Sequence, residues 1–127
     1  MRTRAINAPD GPQTPGTYAQ AVLATGAAEL LFISGQIGVD RDGVAPPSFE
    51  EQARLTWHNI DAQLRAAGMT KANLVKVTIF LADRQYIEPY RRARDAYLGG
   101  HQVALTCIVT GIFDHAWLME IEAVAAR

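Results

Sequence analysis

The feature that most constrains the fold is a segment between Ser48 and Gly68 with a single apolar face. Its apolar side chains recur at spacings of four, three, four and three, at Ala53, Trp57, Ile60, Leu64 and Ala67. This spacing predicts a helix over about residues 49–67. Ser48 and Glu51 form a capping-box pattern at its start, and Gly68 is a typical helix stop. A helix with one apolar face must pack on another element, so the chain requires a second layer.

Strand patterns supply that layer. Residues 74–82 read LVKVTIFLA, and their β-branched side chains predict a strand in which Val75, Val77, Ile79 and Leu81 share one face. Further strands are predicted over residues 18–24, 29–39, 103–110 and 117–125. A second helix is predicted over residues 86–98, with Pro89 in or near its first turn and Gly99-Gly100 at its end. Two flexible segments are expected, one up to about Pro15 and the other over residues 40–47, DRDGVAPP.

Helices and strands in this order predict an α+β sheet with both helices on one face. The second sheet face must then also be covered. If the helices pack on the side of Ala104, Thr106, Ile108, Met119, Ile121 and Ala123, the other side carries Leu105, Cys107, Val109, Leu118, Glu120, Glu122 and Val124. An apolar face of this kind favours a subunit interface. The pattern therefore predicts a homo-oligomer.

Length and charge narrow the function classes. A chain of 127 residues suits one domain, here residues 1–127. The net charge of −1 argues against a general nucleic-acid binder. No apolar run approaches the ~20 residues of a membrane span, and the polar first residues do not resemble a signal peptide. With a single cysteine, which excludes an internal disulfide, these features predict a soluble cytoplasmic protein.

Five segments are distinctive when taken in order: GTYAQAV at 16–22, FISGQIGVD at 32–40, EEQARLTWHNIDAQLRAAGM at 50–69, NLVKVTIFLAD at 73–83 and MEIEAVA at 119–125. Together they resemble the corresponding segments of the Rid family (YjgF/RidA, or L-PSP). The resemblance implies a chorismate-mutase-like fold and a homotrimer whose sheets close around a central barrel. It also implies small-molecule clefts between subunits, in which the better-known members hydrolyse enamine or imine intermediates and release ammonia.

The same resemblance suggests which residues form the site. Tyr18 and Ser34 match family positions that line the cleft, although a strand aromatic and a turn serine explain them equally well. Glu120 matches the glutamate thought to position the attacking water, whereas Glu122 on the same strand face is interpreted as structural. A salt bridge across the trimer is the alternative for both. Cys107 matches a common pocket cysteine, which as a buried thiol would be inert. Arg91 falls near a family asparagine close to the cleft, but the basic run Arg91-Arg92 and Arg94 is typical of a solvated helix face.

The main departure from the family pattern is Leu105. Residues 103–107 read VALTC, where the enamine-hydrolysing members have PARSC with an arginine that holds the substrate carboxylate. Loss of that ion pair could weaken the binding of an anionic substrate by ~2–5 kcal/mol. The resemblance and Leu105 together predict an imine or enamine deaminase for a small, less anionic metabolite.

Two other functions stay open: a non-catalytic trimer that binds a regulatory small molecule and, less favoured because no basic-aromatic stripe is present, a ribonuclease. The three histidines and the cysteine have no metal-ligand spacing, and no nucleotide motif occurs, so no metal or cofactor is predicted. His101 and His115 flank the strand that carries Leu105, and the sequence assigns neither a role.

Overall fold

The computed structural model describes residues 1–14 and 16–127. Its strands are β1 (Arg2–Ile6), β2 (Ala21–Thr25), β3 (Leu30–Ile37), β4 (Leu74–Leu81), β5 (Ala104–Val109) and β6 (Met119–Ala126). Its helices are α1 (Phe49–Ala66) and α2 (Ile87–Leu98), and single 3-10 turns at Lys71–Asn73 and Arg84–Tyr86 precede β4 and α2. The two predicted helices are confirmed to within a residue.

Four strands form the main sheet, in the order β3-β6-β4-β5. β4 and β5 run parallel and are joined through α2, whereas β6 is antiparallel to both of its neighbours. β1 and β2 form a separate antiparallel ribbon. Both helices pack on one face of the main sheet, which confirms the predicted α+β architecture. β5 is an edge strand of this sheet.

Helix α1 begins and ends where its sequence indicates. The Ser48 hydroxyl accepts a hydrogen bond from the Glu51 N–H at 3.2 Å, which satisfies one free donor of the first turn. The predicted capping box is only half formed, because the Glu51 carboxylate pairs with Arg54 instead. After the helix, Gly68 has a φ of 71°, which favours glycine.

Gln52 is a buried polar residue inside the apolar stripe of α1. Its Nε2 donates to the carbonyls of Pro46 and Ala116, each at 2.8 Å, and its Oε1 accepts from the Leu118 N–H at 2.9 Å. All three partners are backbone groups of loops. Gln52 therefore supplies the hydrogen bonds that these groups would otherwise form with a neighbouring strand. The side chain thereby fixes the entrance to β6 against α1.

The strand pairings show which side chains face the helices. Val77 lies opposite Leu105 and Ile79 opposite Cys107, so both β5 residues share the helix side with the core of β4. The prediction that Ala104, Thr106 and Ile108 face the helices is therefore wrong. The parallel register with β4 places these three side chains on the opposite face of the sheet. For β6 the prediction is confirmed, because Met119, Ile121 and Ala123 are buried under the helices.

The uncovered sheet face (Phe32, Lys76, Thr78, Phe80, Ala104, Thr106, Ile108, Glu120, Glu122 and Val124) is called the open face below. It mixes apolar and charged side chains, and Phe32 is 72% exposed on it. Leu118, predicted to lie on this side, instead precedes β6 and packs against the core. An uncovered face with exposed aromatic surface is thus present, as the sequence predicts, but with different residues from β5.

Three strand predictions need correction. Residues 2–6 form β1, although they belong to a segment predicted to be flexible; Pro15 lies outside the described residues. The strand predicted over residues 18–24 begins only at Ala21. In β4 a register shift between Leu74 and Lys76 leaves Leu74 rather than Val75 in the core.

Candidate functional site

The predicted site residues lie in two places on opposite faces of the sheet. Tyr18, Arg91, Leu105 and Cys107 line one cavity beside β5 and α2, called the edge cavity below. Ser34 and Glu120 lie on the open face. Because the sheet lies between the two places, the side chains of one chain do not meet in a single site.

The edge cavity has a volume of about 440 Å³. Its lining comprises Tyr18, Arg84, Ile87, Tyr90, Arg91, Arg94, Leu105, Cys107 and Val109. Tyr18 reaches it because the preceding loop runs beside β5: the Ala19 N–H donates to the Val103 carbonyl at 2.9 Å, and Ala19 pairs with Ala104 in a parallel bridge. The resulting cavity has an apolar wall on β5 and a basic wall on α2.

Leu105 and Cys107 form the apolar wall. Leu105 is half-buried and packs against the core. The Cys107 side chain is open to the cavity, yet desolvation by the wall raises the pKa of its thiol, against the lowering effect of Tyr90, Arg94 and Arg91. A thiol with a raised pKa is protonated at neutral pH and is a poor nucleophile. Cys107 is thus exposed rather than buried as predicted, but the raised pKa of its thiol supports the same inert interpretation.

The sequence interpretation identified only part of the basic wall: Arg91 was assigned to the cleft, whereas Arg94 was included in a basic run typical of a solvated helix face and Arg84 was not considered. Arg94 is only 6% exposed and does not lie on a solvated face. The burial of Arg94 could have been inferred from the sequence, because Arg94 lies four residues after Tyr90 and therefore on the same side of α2 as the buried stripe. Arg84 comes from the 3-10 turn before α2, and Arg91 pairs with Glu88 at 2.6 Å.

On the open face, Glu120 lies over Gly35 of β3. A Cβ at Gly35 would overlap Glu120 Oε2 and lie 2.9 Å from its Cδ. Glycine at this position therefore provides the space that the carboxylate occupies. Among the described residues the half-buried Glu120 side chain forms no hydrogen bond or ion pair, so its oxygens are available to a ligand or water.

Ser34 lies on the same face, in a depression of about 370 Å³ that Glu120 does not line. Lys76, Thr78 and Glu122 line the same depression. Lys76 donates to the Thr106 hydroxyl at 2.7 Å rather than to Glu122. The depression therefore groups Ser34 with the residue predicted to be structural, Glu122.

A larger cavity, of about 610 Å³, contains none of the predicted site residues. It lies between the two helices, next to the stacked rings of Trp57 and Tyr97. Asp61 accepts a hydrogen bond from the Tyr97 hydroxyl at 2.7 Å, which lowers the pKa of its carboxyl together with Arg65. The charged side chains that line this cavity between the helices are of both signs and are largely paired. The smaller edge cavity is therefore the better candidate site.

The histidines lie outside both the edge cavity and the region of Ser34 and Glu120 on the open face. The His101 Nε2 lies 2.8 Å from the Leu74 carbonyl, an acceptor, so this nitrogen carries the hydrogen and ties the α2–β5 loop to β4. His58 lines the cavity between the helices, and His115 is exposed. Over residues 1–14 and 16–127 no three metal-binding side chains cluster, and no helix there is long and apolar enough to cross a membrane.

Comparison with known proteins places this geometry in a family. The family model described as Endoribonuclease L-PSP matches residues 8–127. A RutC family protein from Aquifex aeolicus is 33% identical over 120 residues, with 94% of each chain covered. A rat protein named 2-iminobutanoate/2-iminopropanoate deaminase is 29% identical over 126 residues, which cover 98% of this chain and 90% of that protein.

The fold comparison agrees. The crystal structure of YyfB from Yersinia pestis, a protein of unknown function in the conserved Rid family, superposes with a TM-score of 0.86 at 25% identity. The match covers all of both chains. By its sequence and its fold, the chain belongs to the Endoribonuclease L-PSP, or Rid, family.

Proposed function

We propose that the chain is an imine or enamine deaminase, a hydrolase whose site forms where the edge cavity of one copy meets Glu120 of another. The observation that carries the proposal is Glu120, a half-buried carboxylate held over Gly35 without a partner among the described residues. Such a carboxylate suits a general base. The rat relative is named as a deaminase of this chemical type.

The proposed hydrolysis requires only water and a general base. Water adds to the electrophilic carbon of the C=N group while Glu120 accepts a proton from that water. That proton passes to the nitrogen and gives a carbinolamine; the hydroxyl proton of this intermediate then moves to the nitrogen, the C–N bond breaks, and ammonia leaves as the carbonyl forms. An enamine first tautomerises to the imine and then follows the same steps. Atoms balance with water as the only co-reactant, so the proposed reaction requires no cofactor.

A homotrimer explains how the half-sites meet. β5 is an edge strand beside the edge cavity, and the open face carries Glu120 together with exposed apolar side chains such as Phe32. Association of three copies would cover that apolar surface and bring a carboxylate to each cavity. The ligand is then a small molecule bound between subunits, and Leu105 makes its β5 side apolar.

The test compares two neighbouring carboxylates of β6. Ammonia release is measured from 2-aminoacrylate and from neutral and aromatic imines generated in the assay. Glu120→Gln is expected to lower kcat/KM by at least about 100-fold, because it removes the general base. Glu122→Gln, which makes the same change two residues along the same face, is expected to stay within about threefold of wild type.

The proposal is contradicted if wild type hydrolyses none of these imines, or if Glu120→Gln hydrolyses them as fast as wild type. A wild type that binds a 2-oxo acid but releases no ammonia, with Glu120→Gln changing only that affinity, would identify a binding protein instead.

A further inference from the structure

The loop between β5 and β6, residues 110–118, connects the edge cavity to the open face. It begins directly after Val109, which lines the edge cavity, and it ends two residues before Glu120. Backbone hydrogen bonds of 2.9 and 3.0 Å fix the two ends of the loop to the carboxyl end of β4, at Leu81 and Ala82. The loop therefore adjoins both the cavity and the carboxylate of its own chain.

Hydrogen bonds hold this loop in a defined conformation. The Asp114 carboxylate accepts from the Ala116 N–H at 2.8 Å, and the Asp114 carbonyl accepts from the Trp117 N–H at 3.0 Å. An aspartate that bonds to its own backbone in this way closes a turn. The Ala116 carbonyl also accepts from the Gln52 amide at 2.8 Å, which fixes the turn to α1. The loop thus presents the side chains near its tip in a fixed direction.

Phe113 lies near the tip of this loop and is 96% exposed. Its ring centre is 6.2 Å from that of Trp117, and the two ring planes make an angle of 32°. Trp117 therefore lies beside the ring, whose remaining surface is bare in the described part of the chain. Covering an exposed apolar ring is favourable in water, and a second aromatic ring adds a contact of preferred geometry.

We propose that Phe113 contacts the side chain of the substrate and makes the site selective for imines that carry an aromatic or large apolar side chain. Leu105 and Val109 form the apolar wall of the edge cavity on β5, and Phe113 extends this wall beyond the end of that strand. An aromatic side chain of the substrate covers the Phe113 ring, whereas an ethyl group leaves most of it in water. That the ligand is an imine rests on the proposed function.

Two imines with the same reacting group test this selectivity. 2-Imino-3-phenylpropanoate and 2-iminobutanoate are generated in the assay by an amino-acid oxidase, and hydrolysis is measured above the uncatalysed rate. Both carry the same carboxylate, so the ratio of their kcat/KM values reports the side chain alone. Wild type should favour the phenyl compound. Phe113→Ala should lower the ratio at least about tenfold, because that is the discrimination an apolar contact supplies in a substrate pocket. Phe113→Leu, which keeps an apolar side chain, should lie between the two.

Leu23→Ala is the matched control. Leu23 is also an exposed apolar side chain, but it belongs to the separate ribbon of β1 and β2. The ratio for this variant should equal that of wild type. Because Phe113 is almost fully exposed, its replacement leaves the core unchanged, and melting temperatures verify that each variant is folded. Light scattering gives the number of subunits in each.

An unchanged ratio in Phe113→Ala overturns the proposal, as does a wild type that favours 2-iminobutanoate. An equal loss for both imines also overturns it, and a smaller oligomer would then identify Phe113 as a contact between subunits.

The failure of this proposal differs from the failure of the proposed function. If both imines are hydrolysed and the ratio does not depend on Phe113, the deaminase function stands and the role of Phe113 is wrong. If neither imine is hydrolysed, the deaminase function is wrong. Calorimetry with the stable ketones 2-oxo-3-phenylpropanoate and 2-oxobutanoate then tests Phe113 by affinity. A preference for the phenyl compound that Phe113→Ala loses supports the contact, and equal preferences in both proteins exclude it.

Discussion

Gly35 and Gly38, at the end of β3, lie against neighbours that differ in their freedom to move. A Cβ at Gly35 would overlap the terminal oxygen of a side chain, that of Glu120. A Cβ at Gly38 would lie 2.6 Å from the Cα of Gln52, which is part of the backbone of α1. Glu120 can rotate away from an added methyl group, whereas the helix backbone cannot.

Gly35→Ala and Gly38→Ala should therefore have different effects. Gly35→Ala is expected to change the free energy of unfolding by less than about 1 kcal/mol but to lower imine hydrolysis about 100-fold, because Glu120 is displaced. Gly38→Ala should cost about 1–3 kcal/mol of stability through overpacking. Urea unfolding and ammonia release measure the two effects. Wild-type hydrolysis by Gly35→Ala would show that the position of Glu120 is not what the reaction needs.

At the level of residues, the sequence indicates which side chains carry chemistry but not what they face. Glu120, Tyr18 and Cys107 are identifiable from motifs. Arg94 is not, because in a run of basic residues only its helical position relative to Tyr90 distinguishes it from Arg92. Burial of a charged side chain depends on tertiary packing, which spacing alone does not specify.

Gln52 connects three elements through one side chain. Its amide satisfies three loop backbone groups around the start of β6, the strand that carries Glu120. Gln52→Leu keeps the volume but leaves those groups without a partner, so it should lower the free energy of unfolding by about 3 kcal/mol. Gln63→Leu, the same change at an exposed position of α1, should alter it by less than about 0.5 kcal/mol.

Urea denaturation of both variants measures this difference. Equal stabilities would mean that water replaces the Gln52 amide at no cost, and that the entrance to β6 is held by other contacts.

At the level of elements, helices were predictable where strands were not. Both helices carry local signals: the Ser48 cap, the apolar spacing of α1, and Gly99, whose φ of 57° ends α2. β1 carries none, since all but one of its residues are exposed and its partner β2 begins 15 residues later in the chain. Which face of β5 lies toward the helices also depends on the parallel register of β5 with β4, which is a non-local contact.

The whole molecule presents two half-sites that one chain cannot join. The edge cavity opens beside β5 on the helix side, whereas Glu120 lies on the open face. In the proposed ring of three identical subunits, each cavity would meet Glu120 of the adjacent subunit. The open face would then be both the apolar surface that drives assembly and the source of the proposed catalytic carboxylate.

Complementation between inactive subunits tests whether the site forms between two copies of the chain. Glu120→Gln keeps an intact cavity, and Cys107→Phe fills the cavity but keeps Glu120. When the two are co-expressed with different tags and purified through both, every mixed ring of three has one interface where an intact cavity meets an intact Glu120. Mixed rings should release ammonia at about one third of the wild-type rate. Mixed trimers no more active than either parent would contradict a site shared between subunits.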